Sequence, residues 1–536
     1  MGQIKISINN KEVKAKKGET ILEVALRNNV DIPNLCYHAD VEPSASCRLC
    51  LVKVNDGLLT ACNTKVKPGM KIITHYRELE KMRKINLELI FAQHIEECHD
   101  CVWLDNCKLL KLAQKYGLKK DRFKDRKKNF PIYKFGNSLI FDSSKCIDCK
   151  NCIEVCKQQG VSYLKVRKNG HMFSVEPDKK RNCIFCGQCI LHCPVGAFEA
   201  VGEFEDIEKP LLEKKKYIFF QIAPAIRTSL GEAFGFNPGD NVLEKIAASL
   251  YRLGADKVFD VSVGADFTTV EEAEELKKRL EKRKNLPLLT SCCPAWVEFI
   301  KKYYPEFIPN LTTVKSPHII SGTLIKTYYA KENKIDPKNI IVVSIMPCVS
   351  KKHEIGIKKL KINGLKPVDY VLTTRELIRL IKRKKIDFKK IKPRKLDNPF
   401  SNSSGAGIIF GQTGGVAEAA LRTIFNKKIK IKFKHLEPGI KEAKINGLKI
   451  AVAYGTKKAI KILEKSNNYD FVEVMACEGG CVGGGGQPLP SNKKIIKNRA
   501  KGILKIDRNK KIRLAHLNPV IKKYSQNKHL FHTKFT

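Results

Sequence analysis

The sequence predicts a multidomain protein of α/β and α+β type, with a thiol-rich α+β amino-terminal third followed by a large α/β domain. Three observations predict it. The chain has 536 residues, more than the roughly 250 to 300 that one hydrophobic core sustains. It carries 20 cysteines, and before residue 200 they recur at the short, regular spacings of metal sites. From about residue 215 the pattern changes to strand-length apolar runs separated by helical stretches: KYIFFQIAP, DKVFDVSV, NLPLLTSCC, NIIVVSIMPC, GLKIAVAYG and YDFVEVMAC. Such runs are expected of buried parallel strands flanked by helices.

Composition narrows the function classes. The apolar fraction of 43% is ordinary for a globular chain, and no apolar run approaches the roughly 18 residues of a membrane helix. The start, MGQIKISINN, alternates like a strand and lacks the charged, apolar and small-residue regions of a secretory leader, so cytoplasmic residence is expected. There, so many thiols read as metal ligands and not as disulfides. The net charge of +45 raises the question of a nucleic-acid partner. Lysine greatly outnumbers arginine, however, is spread along the chain and comes with no zinc-finger, helix-turn-helix or RNA-binding signature. A basic surface that steers an acidic protein partner is the stronger reading; neither nucleic acid nor membrane is expected as a partner, and the chain is expected to be a monomer.

Residues 1–77 open with IKISINNKEVKAKKGETILEVALRNN, which reads as a hairpin, a polar turn at Lys17-Gly18 and a helix capped by Thr20. That is the front of a ubiquitin-like ferredoxin fold. Cys36, Cys47, Cys50 and Cys62 follow, and four thiolates suit a 2Fe-2S cluster. Their C-x10-C-x2-C-x11-C spacing differs from the short first gap of plant-type ferredoxins. Structural zinc usually takes two short knuckles, and only one is present. Residues 78–136 carry His94, Cys98, Cys101 and Cys107, a set able to hold zinc or a 4Fe-4S cluster, between which spacing alone does not choose. The neighbours favour iron. In residues 137–207, CIDCKNCIEVC (Cys146, Cys149, Cys152, Cys156) and CIFCGQCILHCP (Cys183, Cys186, Cys189, Cys193) each repeat the two-cluster ferredoxin pattern, in which the fourth cysteine serves the other cluster. Cys193 is thus expected with the first run and Cys156 with the second. Cys156 precedes Lys157 where Cys193 precedes Pro194, a difference of turn geometry. One 2Fe-2S and three 4Fe-4S centres make an electron wire, which needs a terminus.

The terminus is expected in residues 208–536. Three apolar runs end in cysteine: Cys292 with Cys293, Cys348, and Cys477 with Cys481. Open α/β sheets bind ligands beyond the carboxyl ends of their strands, so these thiols can converge. The glycines of CEGGCVGGGGQP permit unusual backbone angles and close approach to a bulky cofactor. In TSCCPAW the adjacent side chains diverge too far to share one metal comfortably, so either one of Cys292 and Cys293 is idle or they have different tasks, and Pro294 fixes the turn into a helix. The stretch TTVEEAEELKKRLEKR reads as a helix opened by a capping box, Thr268-x-x-Glu271, with Glu272 and Glu275 neighbours at i,i+3 spacing. Alone, these glutamates are ordinary solvated charges.

TSCCPAW, MPCVSKK and MACEGGCVGGGGQP resemble the three signature motifs of the FeFe (iron-only) hydrogenases, and SNSSGAGIIFGQTGGV with EAALRT resembles another segment of the same catalytic domain. The likeness covers nearly the whole chain, because the upstream sites follow an order similar to the long single-chain clostridial type. It implies a ferredoxin hydrogenase that reversibly reduces protons to dihydrogen with electrons from ferredoxin or flavodoxin, and whose catalytic domain ends in a small-subunit-like tail. It also implies an H-cluster, a 4Fe-4S cubane joined through a cysteine sulfur to a di-iron unit with carbon monoxide, cyanide and amine dithiolate ligands, inserted by hydrogenase maturation proteins. By this resemblance Cys293, Cys348, Cys477 and Cys481 hold the cubane, Cys481 being the bridge. Lys351 gives charge-assisted hydrogen bonds to a cyanide, and Ala223, Pro224, Met346 and Phe410 line the di-iron pocket. Cys292, left free, is implied to exchange protons with Glu272, Thr312 and Glu275, Thr312 standing where a serine is more usual. The chain departs from the family at Ala417, where a methionine beside the di-iron unit is typical, at His318, where glutamine is common, and at Ala225, which lacks a hydroxyl.

Three rival readings have distinct marks. An electron-transfer subunit of an NADH dehydrogenase-like complex shares the first three cluster motifs but is not expected to carry the three catalytic ones. A hydrogenase-like iron-sulfur assembly factor lacks the 2Fe-2S front. A dihydrogen sensor tends to carry an appended signalling domain and an altered proton route, whereas Cys292 is kept here.

Overall fold

The amino-terminal hairpin alternates as a half-buried strand pair should. Strands β1 (Gln3–Ile8) and β2 (Lys11–Lys16) turn Ile6, Ile8 and Ala15 inward. Gly18, at φ +92, makes the turn, and Thr20 and Glu23 form a reciprocal capping box at the head of the Ile21–Arg27 helix. Strands β3 (Leu51–Val54), β4 (Gly57–Thr60) and β5 (Lys71–Ile73) complete a sheet in the order β2-β1-β5-β3-β4, which is ubiquitin-like. The computed structural model describes residues 3–94, 101, 103, 107–119, 122–169, 172–427, 429 and 431–535.

Helices Arg77–Phe91 and Lys108–Lys115 lead into the ferredoxin-like unit. It is built on the hairpin β6 (Ile132–Phe135) and β7 (Leu139–Asp142), a second hairpin of β8 (Leu164–Asn169) and β9 (Met172–Pro177), and β10 (Phe198–Ala200), which pairs with β7. Its helices Asn151–Gln158 and Gln188–His192 pack on each other. A polar seam ties it to the first unit: Ser44 Oγ donates to Cys149 O at 2.7 Å and Gln158 Nε2 to Asp40 O at 2.9 Å. The His38 and His192 rings meet there at 4.2 Å. Asp40 pairs across the same seam with Lys493 at 3.1 Å, on the carboxyl-terminal helix Lys493–Asn509.

The chain beyond residue 215 contains two further sheets. One is four-stranded and parallel, ordered β12 (Lys257–Asp260), β11 (Tyr217–Ile222), β14 (Ile340–Met346), β15 (Tyr370–Thr373). The other is five-stranded, ordered β13 (Leu288–Leu289), β19 (Phe471–Met475), β18 (Leu448–Tyr454), β17 (Ile440–Ile445), β16 (Lys434–Glu437). Its first three strands are parallel and the β16–β17–β18 meander is antiparallel. Buried apolar residues such as Phe219, Phe220, Val342 and Val343 make the parallel sheet the centre of the largest core.

The run DKVFDVSV is only half strand. β12 stops at Asp260, whose carboxylate accepts from Ser262 N at 2.9 Å and from the buried Arg227 Nη2 at 2.7 Å. This cap turns the chain at Val261 into a helix unbroken to Lys282. The capping box expected at Thr268 is therefore absent. Thr268 lies well inside that helix, and its hydroxyl donates to Gly264 O at 3.1 Å and Lys315 O at 3.3 Å. The helix is a hub, because a Cβ at Gly264 would overlap Pro317 O and one at Gly407 would overlap Ser262 O. Helices Pro317–Leu324 and Gly405–Ile409 thus press on it backbone to backbone. Among the described residues no helix is long and apolar enough to cross a membrane.

Candidate active site

Three strands end where the cysteine motifs begin. β13 runs into Cys292 and Cys293, with Cys293 at the cap position and Pro294 at the first turn of the Pro294–Tyr303 helix. β14 runs into Cys348 and β19 into Cys477. β14 belongs to one sheet and the other two to the second, so the crevice lies between sheets and not at a single sheet edge. Burial, then the neighbouring thiols Cys348 and Cys293, push Cys481 up to about 12. Burial and Cys293 do the same for Cys348, and Cys477 is raised well above the ordinary thiol value by burial, Cys348 and Cys293. Buried thiols that repel one another as thiolates stay protonated unless cations compensate them, which fits an iron-sulfur cubane.

Beside them is a cavity of about 60 Å³, lined by Ala223, Pro224, Met346, Phe410, Lys351 and Cys292. Ala225 and His318 are also on its wall, and so is Met475. Ala417 is not. It is fully buried in the separate cluster of Leu276, Leu288 and Leu421, with its N–H donating to Glu473 Oε2 at 2.8 Å. The first turn of the Gly415–Ile424 helix holds Ala417 behind β19, so its methyl does not reach the cavity, to which Met475 supplies a thioether. The glycine-rich loop takes the unusual backbone angles expected of it, and it also makes room for a neighbouring segment of the chain. Gly479 and Gly480 take φ of +75 and +85; a Cβ at Gly484 would overlap Pro347 O, and one at Gly486 would stand 2.9 Å from Pro347 C. These glycines admit the Met346-Pro347-Cys348 backbone.

Lys351 is held by a buried polar cluster. Its Nζ donates to Glu354 Oε2 at 2.7 Å and to Cys292 O at 3.1 Å. Glu354 Oε2 also meets His318 Nε2 at 2.6 Å, and His318 Nδ1 lies 3.3 Å from Ser344 Oγ. Burial alone would raise Glu354, but Lys351 and His318 overcome it and hold the carboxyl at about 2. Burial also lowers Lys351, and Glu354 more than offsets this, so the ammonium is retained. Burial and the Lys351 cation push His318 down, towards the neutral imidazole. Glu354, at i+3 from Lys351 in a five-residue helix, had no sequence signal beyond that spacing.

The two glutamates of the Val261–Lys282 helix, Glu272 and Glu275, lie in different surroundings. Glu272 is 1% exposed and neither carboxyl oxygen has a hydrogen-bond partner. Burial, then Glu275 and Glu473, raise it well above the ordinary carboxyl range, so it keeps its proton. Burial raises Cys292 as well, and an ionised Glu272 would raise it further. Thr312 Oγ1 donates to Glu275 Oε2 at 2.9 Å, and Arg279 Nη2 reaches Glu275 Oε1 at 2.5 Å. Thr312 is set by the sheet: its N–H donates to Leu289 O at 2.8 Å, beside β13.

The accessory cysteines gather as two small cavities and one thiol set. Cys146, Cys149, Cys152 and Cys193 line one cavity, and Cys156, Cys183, Cys186 and Cys189 the other. Cys36, Cys47, Cys50 and Cys62 are buried together, Cys36 being pulled down by hydrogen bonds from Cys47 and Cys62. Cys101 and Cys107 are described and Cys98 lies outside the described residues. His94 Nε2 is 2.9 Å from Val195 O, against the ferredoxin-like unit. That unit abuts the crevice: Gln188 Nε2 donates to Cys477 Sγ at 3.2 Å, and a Cβ at Gly485 would stand 3.0 Å from Cys186 O.

Comparison with known proteins gives the same layout. The family profile for the iron-only hydrogenase large subunit, C-terminal domain, matches residues 216–485. A 2Fe-2S iron-sulfur cluster binding domain matches 2–77, an NADH-ubiquinone oxidoreductase-G iron-sulfur binding region 83–122, and a 4Fe-4S dicluster domain 145–197. The chain is 37% identical to iron hydrogenase 1 of Clostridium pasteurianum, over 97% of this chain and 96% of that protein. It is 36% identical to the NADP-reducing hydrogenase subunit HndD of Solidesulfovibrio fructosivorans, over 97% and 95%. The [FeFe]-hydrogenase structure HydA(deltaEFG), solved in a study of stepwise H-cluster assembly, superposes with a TM-score of 0.57 at 33% identity, covering 62% of this chain and 98% of that one.

Proposed function

The chain belongs to the iron-only hydrogenase family, and from that premise we propose that it interconverts protons and dihydrogen at an H-cluster held by Cys293, Cys348, Cys477 and Cys481. Ferredoxin or flavodoxin would deliver electrons through one 2Fe-2S and three 4Fe-4S centres. The observation that carries this reading is the meeting, at one cavity, of the thiols of Cys292, Cys348 and Cys481 with the Lys351 cation, behind which Glu272 is buried and raised well above the ordinary carboxyl range by burial, then by Glu275 and Glu473. When bound, the cluster supplies the iron chemistry that combines two protons and two electrons into dihydrogen.

The chain's own residues deliver the protons and set the charge. Glu275 takes a proton at Oε2, Thr312 Oγ1 hands it on, Glu272 stores it and the Cys292 thiol presents it to the cavity. Lys351, fixed by Glu354, keeps a cation in the wall where an anionic cyanide would sit. Infrared spectroscopy of protein produced with maturation proteins tests the assignment. Carbon monoxide and cyanide bands, together with dihydrogen evolution from a reduced carrier, are expected; absence of both sinks it.

The carrier is a separate question, because one relative over nearly the full chain is named as a subunit of an NADP-reducing enzyme. The net charge of +45 supports an acidic carrier reached by electrostatic steering, so the second-order rate with ferredoxin should fall steeply from low to high salt. An unchanged rate would instead favour electron delivery through bound partner subunits.

A further inference from the structure

The acid route does not stop at Glu275. Its Oε2 accepts from Thr312 Oγ1 on the inner side, and from Thr313 Oγ1 at 2.9 Å and Thr313 N at 3.0 Å on the outer side. Thr313 Oγ1 is in turn 2.8 Å from His532 Nδ1, and His532 Nε2 is 3.2 Å from Glu271 Oε2. The direction of these bonds follows from what each atom offers. Thr313 spends its O–H on Glu275, so its oxygen accepts, and His532 Nδ1 is the donor. The ring therefore donates inward at one nitrogen and meets a carboxylate at the other. Its side chain is 32% exposed, whereas Glu271 is 4% exposed.

This imidazole is held in place by backbone. Residues 531–533 run as a strap along 313–315: Lys315 N donates to Phe531 O at 2.8 Å and Thr533 N to Thr313 O at 2.7 Å, with Val314 and His532 paired antiparallel. Phe531 is fully buried against Phe267, ring centroids 5.2 Å apart, and pins the strap to the Val261–Lys282 helix. The charged groups facing the ring are Glu271 from that helix, Lys528, which is 3.7 Å from Glu271 and 2.7 Å from Glu274, and Glu275 through Thr313, itself paired with Arg279. Lys315 on the paired segment points elsewhere, to Leu530 O at 3.0 Å.

We infer that His532 is the relay that loads Glu275 with protons from solvent. The inference rests on the acid route proposed above and extends it to the surface. In each step the His532 Nδ1–H bond breaks as a new O–H forms at Thr313 Oγ1, and the proton originally on Thr313 passes to Glu275 Oε2. Imidazolium thereby becomes neutral imidazole, and the ring is recharged and its tautomer reset by water and Glu271 at its exposed edge. The same atoms run in reverse when dihydrogen is oxidised.

In the fully matured enzyme, His532→Ala and His532→Gln are each expected to lower turnover roughly a hundredfold at neutral pH and to move the pH–rate profile. Glutamine keeps polar contacts to Thr313 and Glu271 in reach but carries no ionisable group. Added imidazole should restore most of the alanine variant's rate. A second readout needs no turnover: the infrared carboxyl stretch of protonated Glu272, assigned by its loss in Glu272→Gln, should shift more slowly on transfer into D2O when His532 is alanine. Full activity in either variant, a loss that imidazole does not reverse, or an unchanged exchange rate overturns the relay. If Glu272→Gln itself keeps full turnover, the acid route fails; if it loses turnover while both His532 variants keep it, only the relay fails.

Discussion

Cys292→Ala is expected to lower turnover in both directions by roughly a thousandfold while leaving the iron content and the carbon monoxide and cyanide bands in place. The thiol lines the cavity, and among the acids it is the buried Glu272 whose ionisation would bear on it most. Removing Sγ leaves a gap between the last carboxyl and the cavity, and neither oxygen of the fully buried Glu272 has a hydrogen-bond partner that could bridge it. Dihydrogen evolution with a chemical reductant, measured alongside iron analysis, separates proton delivery from electron supply. Loss of the cubane in this variant would mean that Cys292, and not Cys293, is the ligand.

Glu354→Gln should be the most damaging change outside the thiols and the acid route. Lys351 and Glu354 are almost fully buried as a pair at 2.7 Å, and removing one member of such a pair typically costs about 3 to 5 kcal/mol because the survivor is left charged and undersolvated. With Glu354 gone, burial, which already opposes the Lys351 cation, prevails. The urea midpoint of the as-isolated enzyme should therefore drop, and the cyanide bands of matured protein should move. Adding Lys351→Met to Glu354→Gln should recover much of the midpoint, though not the activity. A single variant with unchanged midpoint would show that the pair is not held as described.

Local chemistry made much of this legible from the chain. The Thr20 cap is a hydroxyl placed just before an apolar run, and it forms as read, with Glu23 completing a capping box. Pro294 after Cys293 starts a helix because its fixed φ suits the first turn. The ends of β14 and β19 were visible because long apolar runs stop at Pro347 and at the loop after Met475. Where local signals compete, the reading went astray. Thr268 and Glu271 match a capping box, but Asp260 paired with Arg227 starts the helix earlier. At position 417, which side of the helix meets the cavity depends on what packs on its other side.

The sequence by itself determined the order of the cysteine motifs, the ubiquitin-like front, the parallel strand runs and the family, because ligand spacing and apolar periodicity are properties of neighbours along the chain. The tertiary structure decided what depends on residues far apart. It placed the crevice between two sheets, set Glu354 and His318 on Lys351, buried Glu272 without partners so that it keeps a proton, and laid His532 against Thr313. The reason is electrostatic: burial and long-range contacts fix which carboxyls and imidazoles carry charge, and no local pattern records a partner more than 200 positions away.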